Sequence, residues 1–149
     1  MNHNRFTSKI GEIGIIDDGK NIVEIQLHSQ LDFSINKSNL FLEAKKQIEH
    51  FLDHKLKVFT LPYLIQGSDF EKRVLQAMST IPYGETISYK ELAIISKHPL
   101  SYRAVGSVCR KNKLPLLLPC HRVIKHNKEL GNFAGGIELK KQLIDLEKS

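Results

Sequence analysis

Two prolines four residues apart, Pro115 and Pro119, bracket the leucines of LPLLLP and lead straight into Cys120-His121. Neither proline has a backbone N–H to donate, and each would collide with a preceding helical turn, so this run cannot form the interior of a helix. Its leucines favour burial. The segment therefore reads as a buried extended strand or connector that CHRVI completes, carrying an ionisable thiol and an imidazole inward. In extended backbone, neighbouring side chains point to opposite faces, so a water or a local bend has to connect Cys120 with His121. Two readings of Cys120 stand side by side: an inert core thiol, and a nucleophile whose thiolate a nearby imidazole promotes. A metal site built from Cys109, Cys120, His121 and His126 fits poorly, because the 10-residue gap between the cysteines matches no zinc spacing.

The chain changes character at QGS, residues 66–68. Before it, SKIGEIGII and NIVEIQLHS alternate apolar and polar residues on either side of DDGK, which predicts a β-hairpin. Leu40, Phe41, Ala44, Ile48, Phe51 and Leu52 then recur near helical spacing, predicting an amphipathic helix over about 39–54. VFTLPYLI is extended, and Pro62 confines it to an edge or a connector. His3, His28, His50 and His54 lie in this half without a cysteine, so no zinc site is expected there. Asn36-Lys37-Ser38 matches the N-glycosylation pattern, which carries no weight without a secretory signal.

After QGS the pattern is helical. DFEKRVLQAMST places Phe70, Val74, Leu75 and Met78 on one face. IPYGE, with Pro82 and Gly84, makes a turn. Ser88 and Glu91 form a capping box that starts a short helix at Tyr89, running to about Ser96. KHPL breaks it, and Ser101 is placed to cap a helix running to about Lys111. Two short helices joined by a tight break predict a helix-turn-helix. On the second, Ala104, Val105 and Val108 form the expected inward stripe, and Arg103, Ser107 and Arg110 the outward one. Gly106 weakens that helix by about 1 kcal/mol relative to alanine, which points to a contact reason for it. KHNKELGNFAGG is a loop, and IELKKQLIDLE a closing helix expected to bury Ile137, Leu143, Ile144 and Leu146.

Charge is distributed unevenly. Residues 1–68 hold 8 Lys/Arg and 8 Asp/Glu, whereas residues 69–149 hold 14 and 8, so the second half carries the whole net charge of +6. Between Glu91 and Glu129 stand Lys97, Arg103, Arg110, Lys111, Lys113, Arg122, Lys125 and Lys128, with no acidic residue among them. A one-sign stretch spanning a candidate DNA-binding helix and the cysteine suits a polyanionic partner. The opening MNHNRFTSKIGE lacks the apolar segment of a signal peptide. No apolar run approaches the roughly 20 residues that span a bilayer. Two cysteines are too few for a disulfide framework, so a cytoplasmic chain with free thiols is expected.

Pro119-Cys120-His121-Arg122-Val123 resembles the signature of the O6-alkylguanine-DNA alkyltransferases, the methylated-DNA–protein-cysteine methyltransferases. IPYGETISYKELA, RAVGSVCRKN, LPLLLPCHRVI and GNFAGGIELKKQLIDLE match that family in order and spacing across about 69–149. The resemblance implies an α/β (α+β) fold, with a small ribonuclease-H-like N-terminal domain over 1–66 and a helical helix-turn-helix domain over 67–149. It implies a monomer on the minor groove of double-stranded DNA containing O6-alkylguanine, with cooperation between copies left open. The damaged base is flipped out, and its alkyl group passes irreversibly to Cys120. O4-alkylthymine is expected as a second substrate, and no cofactor or metal is needed.

By the same resemblance, Cys120 is the acceptor, His121 the base acting through a water, and Glu147 the group that orients His121. Tyr89 donates a hydrogen bond to the flipped guanine. Arg103 fills the gap in the stack, Asn112 braces the segment before the cysteine, and Lys140 supports the surroundings of the thiol. The carbonyls of Cys120 and Val123 receive the guanine amino group. Tyr102, Ala104, Ser107, Cys109, Arg110, Arg122, Phe133, Ala134 and Gly135 complete the expected substrate and DNA contacts. Four departures stand out: Tyr102 replaces a proline or small residue, Cys109 a larger apolar one, Phe133 a tyrosine and Ala134 a serine. The zinc cysteines of some relatives are absent. Two other readings remain: a binder of alkylated DNA, which would lack a reactive cysteine, and a cysteine hydrolase, which would leave the basic helix without a purpose.

Overall fold

The computed structural model describes residues 1–32 and 37–149, so Asn36 of the glycosylation pattern lies outside the described residues. The chain divides into two compact units, Met1–Ile65 and Gln66–Ser149. Mixed α/β structure is present, with small sheets and amphipathic helices.

The first unit begins with an antiparallel meander of β1 (Asn2–Ser8), β2 (Gly11–Asp17) and β3 (Ile22–Leu27). Phe6 opposes Ile13, and Ile15 opposes Ile25. SKIGEIGII is therefore not one strand. Ser8 ends β1, and Gly11, at φ +103°, turns the chain into β2 with a backbone few other residues adopt. The expected alternation also fades in β2, because Ile13 through Asp17 are all buried. The buried Asp17 carboxylate accepts hydrogen bonds from Asn2 Nδ2 (2.9 Å), Gly19 N (2.9 Å) and Ser38 Oγ (2.8 Å), joining the strand end, the turn and the helix start. Ser38 also caps α1 (Asn39–Leu52) by accepting from Phe41 N at 3.0 Å. Phe41, Ala44, Ile48, Phe51 and Leu52 supply the buried face. The VFTLPYLI segment is a connector that joins the sheet by a parallel bridge, Ile22 to Tyr63.

The second unit starts at α2 (Asp69–Met78), which carries a complete capping box between Ser68 and Glu71. A second complete box, Ser88 with Glu91, opens α3 (Tyr89–Ile95) as expected. α4 (Tyr102–Arg110) follows a tight turn, giving the helix-turn-helix. Ser101 sits at its N-cap position but makes no side-chain cap, so that expectation fails. Val105 and Val108 face inward, whereas Ala104 is exposed and leaves the inward stripe.

LPLLLP is buried, as its leucines require, but it is not a strand. It coils through tight turns, with Leu118 N bonded to Leu114 O at 2.8 Å and Leu116 at φ +76°. Cys120–Arg122 form one turn of 3-10 helix rather than extended chain. β5 (Val123–Ile124) then pairs in parallel with β4 (Ile87–Ser88), Val123 opposite Ile87. That short ladder ties the segment after Cys120 to the start of α3. The chain closes with α5 (Ile137–Lys148), which buries Leu139, Lys140, Leu143, Ile144 and Glu147. Ile137 is exposed and Leu146 only half-buried, so the expected stripe is corrected by a shift that brings two charged side chains inward. Among the described residues no helix is long and apolar enough to cross a membrane.

The Ser88 cap supports the helix that begins the site. Ser88→Ala should lower the stability to urea by about 1 kcal/mol with an unchanged slope, and Ser88→Gly by only a few tenths.

Candidate active site

Cys120 lies at the first position of the 3-10 turn with its thiol buried. Burial pushes the thiol pKa up, while a side-chain hydrogen bond from Asn112 and the charge of Lys140 pull against it. The net direction is upward, so the resting group is a thiol that needs a base. Asn112 also fixes the backbone leading to it: Nδ2 donates to Leu118 O at 2.8 Å, and Oδ1 accepts from Leu114 N at 3.0 Å. One side chain thus pins both ends of the proline-bracketed leucine run.

His121 follows, fully buried, with Nε2 2.6 Å from Glu147 Oε2. Burial lowers the imidazole pKa, and the Glu147 hydrogen bond only partly opposes it. The neutral imidazole donates its Nε2–H to the carboxylate, which makes Nδ1 the lone-pair nitrogen. Burial alone would raise the Glu147 pKa, but hydrogen bonds from His121 and Arg122 outweigh it and hold the carboxyl at about 2.

Arg122 is the main partner of that carboxylate. Its Nε donates to Oε1 at 2.8 Å, its Nη2 to Oε2 at 2.9 Å, and its Nη1 to Ile81 O at 2.7 Å. Gly84 N donates to Glu147 Oε1 at 3.0 Å, with Gly84 at φ +83°. The guanidinium also lies 5.7 Å from the Tyr83 ring centroid. The expectation that Arg122 contacts DNA is therefore corrected: it is buried, and its donors are directed at Glu147 and the IPYGE turn. The sequence showed that turn only as a turn. Its use of a backbone N–H and a carbonyl as a cradle needed the fold.

A second cluster adjoins the thiols. Tyr89, half-buried at the start of α3, has its phenol pKa raised to about 12 by burial and by nearby Cys109 and Cys120. Lys140 Nζ lies 3.4 Å from Tyr89 Oη, 3.4 Å from Asn132 O and 5.6 Å from the Tyr89 ring centroid. The lysine is fully buried, and desolvation lowers its pKa to about 8. Burial pushes Cys109 up to about 12. Gly131, at φ +76°, lies so close that an added Cβ would sit 2.9 Å from Tyr89 Oη. The loop after β5 thus rests its backbone on the phenol.

Tyr89 opens onto a cavity of about 460 Å³ whose wall includes Tyr102, Arg103, Gly106, Arg110 and Gly131. Gly106 has its contact reason here, as part of the cavity wall on α4. Lys90, Lys125, His126 and Asn132 also line it, four residues outside the set that the family resemblance implies. Arg103, Arg110, Ala104 and Tyr102 are exposed on α4, and Ser107 is half-buried. Val123 and Gly135 are buried, Phe133 is half-buried, and Ala134 is exposed. Among the described residues no three His, Cys, Asp or Glu side chains gather as metal ligands. The unit thus carries a buried thiol, a neutral imidazole held by a carboxylate, and a cation-rimmed cavity.

Comparison with known proteins places these features among relatives. Residues 69–149 match the family model described as 6-O-methylguanine DNA methyltransferase, DNA binding domain. The methylated-DNA–protein-cysteine methyltransferase of Methanosarcina barkeri is 40% identical over 115 residues, covering 77% of this chain and 73% of that one. Its namesake in Methanosarcina acetivorans is 34% identical over 155 residues, covering 97% and 96%. Among solved structures, Mycobacterium tuberculosis OGT in complex with DNA superposes with a TM-score of 0.89 at 32% identity, covering 98% of this chain and 92% of that one.

The Glu147 charge predicts a pH signature. Its folded pKa lies below the ordinary carboxylate value of about 4.3, so its contribution to stability is complete above that value and lost as pH falls towards about 2. The wild-type protein should lose urea stability over this window more steeply than Glu147→Gln. Parallel losses would contradict the ionised carboxylate.

Proposed function

Because the chain belongs to the 6-O-methylguanine DNA methyltransferase family, we propose that it repairs O6-alkylguanine in DNA by moving the alkyl group onto its own Cys120. The observation that carries the residue assignment is the buried Cys120–His121–Glu147 sequence of groups, with the imidazole held at 2.6 Å by an ionised carboxylate.

The chemistry follows from the electrostatics. A flipped O6-methylguanine occupies the cavity that Tyr89 faces. The neutral imidazole of His121 takes the thiol proton, through a water, and Glu147 stabilises the imidazolium that forms. The thiolate attacks the methyl carbon in line with the carbon–oxygen bond. The S–C bond forms as the C–O bond breaks, and the bonding electrons pass to the departing guanine. Tyr89, kept a neutral phenol by its raised pKa, donates a hydrogen bond to that developing negative charge. The thioether has no leaving group that water can displace under these conditions, so each chain acts once.

Arg103, exposed at the start of α4, occupies the gap left in the base stack, while Arg110 and Lys125 meet phosphates along the cavity rim. Ala104 and Gly106 keep the exposed face of α4 low enough to lie in a minor groove. Val123, Phe133, Ala134 and Gly135 frame the base from the other side, and O4-alkylthymine is a second substrate of the same pocket. Two free cysteines, one of them the reagent, suit a reducing compartment, the cytoplasm.

Incubating the protein with duplex containing O6-methylguanine should add one methyl group per chain, located by mass spectrometry on the Cys120 peptide. Cys120→Ser should transfer nothing. Several methyl groups removed per chain, or a methyl found on Cys109 instead, would overturn the assignment.

A further inference from the structure

The turn between α3 and α4 presents an apolar side chain that nothing in the site accounts for. Leu100 is 96% exposed, against 61% for Ile94 and 50% for Ile95 on the preceding helix. Its branched side chain therefore stands almost entirely in water, gains nothing from folding, and keeps its full apolar area available for burial against a partner.

The segment that carries it is firmly built. Ser101 N donates to His98 O at 3.0 Å, closing a tight turn with Pro99 and Leu100 at its tip. Pro99 fixes its own φ. His98 N donates to Ala93 O at 2.9 Å, and the His98 ring meets Phe70 of α2 edge-on with centroids 4.9 Å apart. Two and three residues beyond Leu100, the exposed Tyr102 and Arg103 line the cavity. Lys90 Nζ lies 5.4 Å from the Tyr102 ring centroid and restrains it. Lys90, Lys97, Arg103 and Arg110 are exposed, and no acidic residue interrupts residues 92–128.

A leucine held out on a rigid turn, continuous with a cationic edge, suits a partner that is anionic outside and apolar within its groove. Duplex DNA has that character: phosphates flank deoxyribose and base edges. We propose that Leu100 is an apolar wedge, entering the minor groove with Tyr102 and packing on deoxyribose and base edges beside the gap that Arg103 fills. It keeps the stack open while the damaged base is out, as apolar side chains inserted between base steps do in other minor-groove proteins. This inference rests on the repair reading above, and it concerns duplex substrate alone, because a free base has no groove to open.

The test compares wild type, Leu100→Ser and Leu100→Met in single-turnover reactions with an O6-methylguanine duplex and with free O6-benzylguanine. Leu100→Ser should slow the duplex reaction about tenfold or more, keep the free-base rate, and bend an end-labelled duplex less by fluorescence energy transfer. Leu100→Met should retain most of the duplex rate and bend. Equal duplex rates for wild type and Leu100→Ser, or a loss shared by both substrates, would overturn the wedge. So would a wild-type dimer in sedimentation that Leu100→Ser converts to monomer, since the leucine would then belong to a second copy. Failure of the wild type on both substrates would instead overturn the repair reading itself.

Discussion

Everything around Cys120 depends on where Glu147 holds its charge. A carboxylate buried this deeply pays a heavy desolvation cost unless its oxygens are well supplied with donors. Here the donors come from two segments distant in sequence: the 3-10 turn provides His121 and Arg122, and the turn before β4 provides Gly84 N. Arg122 then reaches past the carboxylate to Ile81 O. The ion pair therefore does more than neutralise a charge. It locks the 3-10 turn against α5 and the IPYGE turn, and so fixes the backbone from which Cys120 projects. Losing one member would leave the other buried and uncompensated, which is far more damaging than replacing both.

The same burial sorts the titratable groups. Cys120 and Tyr89 are pushed upward, whereas His121 and Lys140 are pushed downward, and each shift is led by desolvation. The result at neutral pH is a protonated thiol, a neutral imidazole, a neutral phenol and a lysine with its pKa at about 8. A site so ordered stays quiet until the base and nucleophile exchange a proton. Such restraint suits a thiol that can be used once, because a permanently ionised one would be open to wasteful oxidation or alkylation.

Much of this was legible in the sequence where local physics decides structure. α1, the Ser88 capping box and the helix-turn-helix follow from apolar spacing and cap residues. The errors share a cause: periodicity assumes that one face is buried. β2 is buried without a break from Ile13 to Asp17, so its alternation and its separation from β1 were blurred. α5 buries Leu143 and Ile144 as expected, but Lys140 and Glu147 take the inward places that an apolar stripe had given to Ile137 and Leu146. Pro115 and Pro119 correctly excluded a helix, but turns could satisfy them as well as a strand. For the site, the family resemblance supplied Cys120, His121, Glu147 and Tyr89 as a set. Arg122 was misplaced because a basic residue in a basic run reads as surface, and only the fold shows its three-way bonding to Glu147 and Ile81.

The central claim is that a neutral His121, oriented by Glu147, draws the proton from a thiol that burial keeps protonated. The direct measurement is the single-turnover rate of alkyl transfer as a function of pH for the wild type and His121→Gln. The wild-type rate should hold steady through neutral pH and fall below it as His121 takes up a proton, at a pH under the ordinary imidazole value of about 6.5. His121→Gln should lose that acid limb and react slowly, with a rate that climbs into alkaline pH as solvent ionises the thiol. Superimposable profiles for the two proteins would contradict the account, because the thiolate would then form without His121.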